Sequence, residues 1–169
     1  MFGIDGLDPF GLVHASLGLA SIVLGAVVVF RRKGGMMHRL IGLAYVLCML
    51  LLNVTALLIY DLWGGFGPFH WLAILSLATT IAGFVPAWLG RPAGWLDIHA
   101  RCMAWSYAGV VAALAAEIGA RLPGVRFVDG VVWPATVVMI VSAVLIHGRV
   151  PRLVERVRPR PTMADAGRV

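Results

Sequence analysis

Long apolar runs, broken at near-regular intervals by short polar or glycine-rich stretches, dominate this chain. Five of them have roughly the twenty residues that a hydrocarbon core requires. They extend from about Phe10 to Phe30, His38 to Leu62, Phe69 to Leu89, Ile98 to Leu122 and Val128 to His147. The breaks are Arg31-Arg32-Lys33-Gly34-Gly35, Gly64-Gly65-Phe66-Gly67-Pro68, Gly90-Arg91-Pro92-Ala93-Gly94 and Pro123-Gly124, all of turn-forming or charged composition. The pattern predicts an all-α membrane protein with five transmembrane helices. The first four carry polar residues and are expected to form a core bundle. The fifth is short on polar residues and has Pro134 in its first turns, so it is expected to be peripheral.

Composition agrees with the pattern. The chain has 169 residues, 60% hydrophobic and 13% charged, against about 25% charged in a soluble domain. Its mean hydropathy is +0.91. One bundle domain is expected over residues 1–148, with a basic, disordered cytoplasmic tail over 149–169 that lies on anionic lipid or acts only as a topology signal. The formal charge of +6 does not imply nucleic acid, because the basic residues cluster in loops and tail as membrane anchoring predicts. Cys48 and Cys102 show no disulfide or metal spacing and are read as packing residues. No cleavable signal peptide is expected, since Asp5 and Asp8 stand where a basic leader region would be.

Arg31, Arg32, Lys33, Arg39, Arg91, Arg101 and the tail arginines fall on one side of the predicted membrane. That side is expected to be cytoplasmic, with the N-terminus outside. Arg121 and Arg126 fall on the other side. Trp63, Phe66 and Trp71 would form the outer aromatic belt, and Trp88 and Trp95 the inner one.

Four of the five histidines then fall at two levels. His14 and His70 lie near the outer ends of the first and third helices. His38 and His99 open the second and fourth helices at the inner side. Ionisable residues in a membrane are costly without a partner and mark functional sites. At helical spacing His38 shares a stripe with Gly42, Tyr45, Met49 and Asn53. His99 shares one with Met103, Ser106, Val110, Ala113, Glu117 and Arg121, and His14 one with Gly18, Ser21 and Gly25. Gly18 and Gly42 each follow a histidine by one turn, where a small residue admits a neighbouring helix or a flat ligand. His147 is expected to be an interfacial residue outside this set.

Three readings follow. Paired histidines on alternate helices suit a b-type cytochrome, with one or two haems clamped between imidazoles in an apolar core and electrons passed across the membrane. The levels would lie roughly 20 Å apart at ~1.5 Å rise per residue. Arg39 and Arg101 would meet haem propionates at the inner side, and Arg121 at the outer. His14, His70 and Glu117 could instead hold a zinc ion at the outer face, a two-histidine, one-carboxylate set that leaves room for a hydrolytic water. Against that, Glu117 can pair with Arg121 at i,i+4. In the third reading the polar stripes line a quinone or lipid cavity in a non-enzymatic protein. Each histidine alone could also be a helix-end residue bonded to backbone.

The runs Phe66-Gly-Pro-Phe-His70-Trp-Leu-Ala-Ile, His99-Ala-Arg-Cys-Met103-Ala-Trp-Ser-Tyr107, Ala116-Glu117-Ile-Gly-Ala-Arg121 and His38-Arg39-Leu-Ile-Gly42 resemble a bacterial family of predicted membrane proteins, domain of unknown function 2306. The likeness covers about residues 10 to 122 and implies a bacterial inner-membrane protein. A weaker resemblance is to diheme b-type cytochromes of the ferric reductase kind. It implies His14 and His70 as ligands of an outer haem, His38 and His99 as ligands of an inner one, a haem-dependent oxidoreductase activity, and a quinone or another redox protein as partner. The chain departs from that pattern in having five spans rather than six and shorter spacings between histidines.

Overall fold

The computed structural model describes residues 9–60, 64–91 and 93–157. Asp5, Asp8, Trp63, the expected end of the second span at Leu62 and the tail from residue 158 lie outside the described residues. Five α-helices account for the fold: α1 (Pro9–Phe30), α2 (Met36–Leu58), α3 (Pro68–Leu89), α4 (Trp95–Gly119) and α5 (Phe127–Val157). Each is long and apolar enough to cross a membrane. The protein is an integral membrane protein.

Helix ends follow local chemistry. Pro68 occupies the first turn of α3, where a missing N–H costs nothing. The α3 C-cap is Gly90 in the left-handed region (φ 63°), its N–H bonded to the Pro86 carbonyl. Lys33 closes α1 by donating to the Val28 and Val29 carbonyls, the latter at 2.8 Å.

Consecutive helices are antiparallel neighbours, and α1 also touches α4, so α1 to α4 close into a ring. The ring leaves two diagonals, α1 with α3 and α2 with α4. α5 packs against α4 alone, which is the expected core of four plus a peripheral fifth. Large apolar side chains such as Leu19, Leu47, Leu75 and Val144 point outward, as they can where the solvent is hydrocarbon. Within the ring Tyr45, Val46, Met49 and Val110 form the core, packed by Ile22, Phe84, Met103 and Tyr107.

α5 runs beyond its expected end at His147 to Val157, so residues 149–157 continue the helix. The reason is tertiary. Ile146, Val150 and Val154 repeat at i,i+4 and bury against Ala108 and the Leu96, Ala100, Ala104 and Trp105 side of α4. At the other end of this pair the backbones of Gly119 and Gly130 touch, and a Cβ on either would overlap the carbonyl oxygen of the other.

Candidate functional site

Among the described residues the buried polar side chains are Ser21, Asn53, His70, Thr80 and Ser106. With no water in a bilayer core, such groups must find partners inside the protein. Tyr45 and Ser106 bond at 3.0 Å across the α2–α4 diagonal, and Thr80 of α3 reaches the same Ser106 oxygen at 2.9 Å. Such interhelical bonds contribute about 0.6 to 2 kcal/mol each in membranes. Their geometry matters more. Tyr45 and Ser106 each lie two turns past a histidine, ~10 Å along parallel helices. Locking them side by side therefore sets His38 opposite His99.

Those two rings do meet. Their centroids are 6.4 Å apart and their planes cross at 89°. His99 Nδ1–H donates to the Gly83 carbonyl at 2.9 Å, which leaves Nε2 with its lone pair free. This is how metal-binding histidines are usually held, with the far N–H on a carbonyl. Gly83 makes the bond possible: a Cβ there would lie 2.8 Å from Met103 Sδ and 2.9 Å from Cys102 Cβ, so only glycine lets α3 and α4 come this close. His38 Nδ1 is buried and has no partner among the described residues. Gly42, one turn along α2, faces open space with nothing within 4 Å of a Cβ position. A metal bound at ~2 Å by each of two imidazoles holds their centres about 6 Å apart. On spacing, tautomer and an unpartnered nitrogen, the donor set here fits a bis-imidazole haem.

The opposite level is built differently. Thr55 Oγ1 donates to the Leu52 carbonyl at 2.9 Å, so it accepts at His14, whose Nδ1–H donates to it at 2.9 Å. His70 lies between Tyr60 and Phe66, with ring centroids 4.7 and 4.8 Å away. Its Nδ1 accepts the Gly67 N–H at 3.1 Å, so Nε2 carries the proton. That Nε2–H is buried with no acceptor among the described residues. A ligand nitrogen must present a lone pair, and here His70 presents a donor. His14 and His70 have separate partners, and Leu52 Cδ1 stands 3.7 Å from where a Cβ on Gly18 would lie, an ordinary packing contact.

Glu117 pairs with Arg121 on its own helix, both side chains mostly exposed. Near this end α4 buries Gly119 against Gly130 of α5. Among the described residues no three His, Cys, Asp or Glu side chains converge as a metal site. Arg101 pairs with Asp97 at 2.7 Å, Arg39 is exposed, and Met103 packs against the bundle core. Asn53 bonds back to the Met49 carbonyl at 2.7 Å. His147 is exposed on α5 and bonds the Ala143 carbonyl, as an interfacial residue does. Cys48 and Cys102 are free and half-buried.

Thr55, Thr80 and Gly83 belong to this site although no histidine stripe contains them. Hydroxyls inside apolar helices were the available signal for the two threonines, since such groups turn toward the bundle interior. Nothing in sequence marks a main-chain carbonyl such as that of Gly83 as an acceptor.

No curated protein and no solved structure matches the chain. The match that exists is to a family described as predicted membrane protein (DUF2306), and because it spans residues 11–154, from the first turns of α1 to the last of α5, the chain belongs to that family.

Proposed function

We propose that this protein is a b-type cytochrome of the bacterial inner membrane, holding haem b between His38 and His99 at the basic end of the bundle. The observation that carries the reading is the inner pair: two rings 6.4 Å apart across the bundle, one fixed by Gly83 with its Nε2 lone pair free, the other with a buried unpartnered nitrogen. Haem b would supply one-electron redox chemistry there. The chain's own residues orient the imidazoles, keep the site in an apolar core and set α2 against α4 through Tyr45 and Ser106. Of the two arginines expected to meet propionates at this end, Arg39 is the one without a carboxylate partner among the described residues, since Arg101 is already paired with Asp97. The cytoplasmic side is the end carrying Arg31, Arg32, Lys33, Arg91, Arg152 and Arg156, by the positive-inside rule. The two arginines at the far end, Arg121 and Arg126, are each paired with a carboxylate.

A second reading concerns the outer level alone. The buried His70 Nε2–H, without an acceptor among the described residues, favours a carbonyl-bearing ligand such as a quinone over a second haem or a zinc ion, because a carbonyl accepts and a metal does not.

The test is a histidine series in protein purified from haem-replete cells. His38→Ala and His99→Ala are expected to lose bound haem, while His14→Ala and His70→Ala keep it. Haem lost equally from all four variants would favour a two-haem bundle or general unfolding. Haem kept in His99→Ala would refute the inner site.

A further inference from the structure

Among the described residues α1 and α5 are not packed against each other, and between their ends at the basic side lies an open cleft of ≈ 750 Å³. Ligand pockets commonly measure about 300 to 1,000 Å³. It is lined by Arg31, Arg32, Lys33 and Arg156 together with apolar Phe30, Leu153 and Val157. Among the described residues the ion pairs are Arg101–Asp97, Arg121–Glu117 and Arg126–Asp129, so none of the three cleft arginines has a carboxylate partner there. Glu155 precedes Arg156 directly, and adjacent helix residues do not face each other. Helix C-terminal carbonyls repel anions, but Lys33 covers those of α1 through Val28 and Val29. Burial holds the Lys33 ammonium below its ordinary pKa.

We propose that this cleft seats one anionic glycerophospholipid, with its phosphate against Arg31, Arg32 and Arg156 and the start of its acyl chains against Phe30, Leu153 and Val157. The shared chemistry is phosphate recognition by guanidinium groups. The apolar walls decide for lipid over a free anion, because a soluble phosphate would leave them uncovered. The site is also placed where headgroups lie, at the ends of two membrane-spanning helices, and basic pockets between helices hold such headgroups elsewhere.

The full-length protein, released from detergent and followed by native mass spectrometry, tests this with phosphatidylglycerol as the probe. One retained phosphatidylglycerol per chain is expected, with phosphatidylcholine not retained. Removing the three charges (Arg31→Gln, Arg32→Gln, Arg156→Gln together) should weaken retention about a hundredfold. Arg91→Gln, on the same side but away from the cleft, should change it less than about twofold. Leu153→Trp keeps every charge and fills the cleft, and it too should lose the bound lipid while circular dichroism shows intact helices. Equal weakening by Arg91→Gln, undiminished retention in Leu153→Trp, or displacement by millimolar glycerol phosphate would overturn the proposal.

Discussion

A histidine among apolar helices has two ring nitrogens to satisfy, and the four in this bundle differ in how that is done. His99 gives its Nδ1 proton to Gly83 and keeps a free lone pair. His70 spends its Nδ1 lone pair on the Gly67 N–H and keeps a proton. The first presents a lone pair and the second a proton, although both open a helix at the edge of an apolar span. Gly83 is the residue on which the first depends. Gly83→Ala places a methyl against Met103 and Cys102 and is expected to destabilise by about 1 to 3 kcal/mol. Thermal melting in detergent would show the loss, and a shifted or weakened haem absorption would show that His99 has lost its carbonyl. The two levels of histidines were legible in sequence because successive spans alternate in direction, which sets which helix ends lie together. Their tautomers were not, because each is set by an acceptor or donor such as Gly83, Thr55 or Gly67, two of them on another helix.

At the scale of helices, hydropathy alone marked all five spans, since a bilayer demands length and apolarity before anything else. Ends were less legible. α5 continues to Val157 because Ile146, Val150 and Val154 have α4 to pack on, a tertiary fact that the basic, proline-containing sequence conceals. Glu117 illustrates the converse. Its stripe with His99 is correct by helical period, yet at this end of α4 the side chain is mostly exposed, and Glu117 settles on Arg121. The Gly119–Gly130 contact makes a prediction about this element. Gly119→Leu should force α5 away from α4 and destabilise the pair by at least about 1 to 3 kcal/mol, read as a lower melting temperature. Haem bound in the four-helix ring should survive it, because α5 contributes nothing to the His38–His99 site.

As a whole molecule the chain is a ring of four helices with two diagonals, and a fifth helix leaning on the fourth. The α2–α4 diagonal is locked by Tyr45, Ser106 and Thr80 and carries the histidine pair that meets. The orientation that follows from the arginines has a direct check. A membrane-impermeant maleimide added to intact cells should label Val125→Cys and spare Ala93→Cys, and the reverse labelling would invert the topology. The central claim is that His38 and His99 bind haem. Its most direct test is the reduced-minus-oxidised absorption spectrum of the wild-type protein purified from haem-replete cells, with haem quantified per chain. The expected result is a Soret band that shifts on dithionite reduction, sharp alpha and beta bands of bis-histidine haem b, and one haem per chain. A folded but colourless protein would contradict the account.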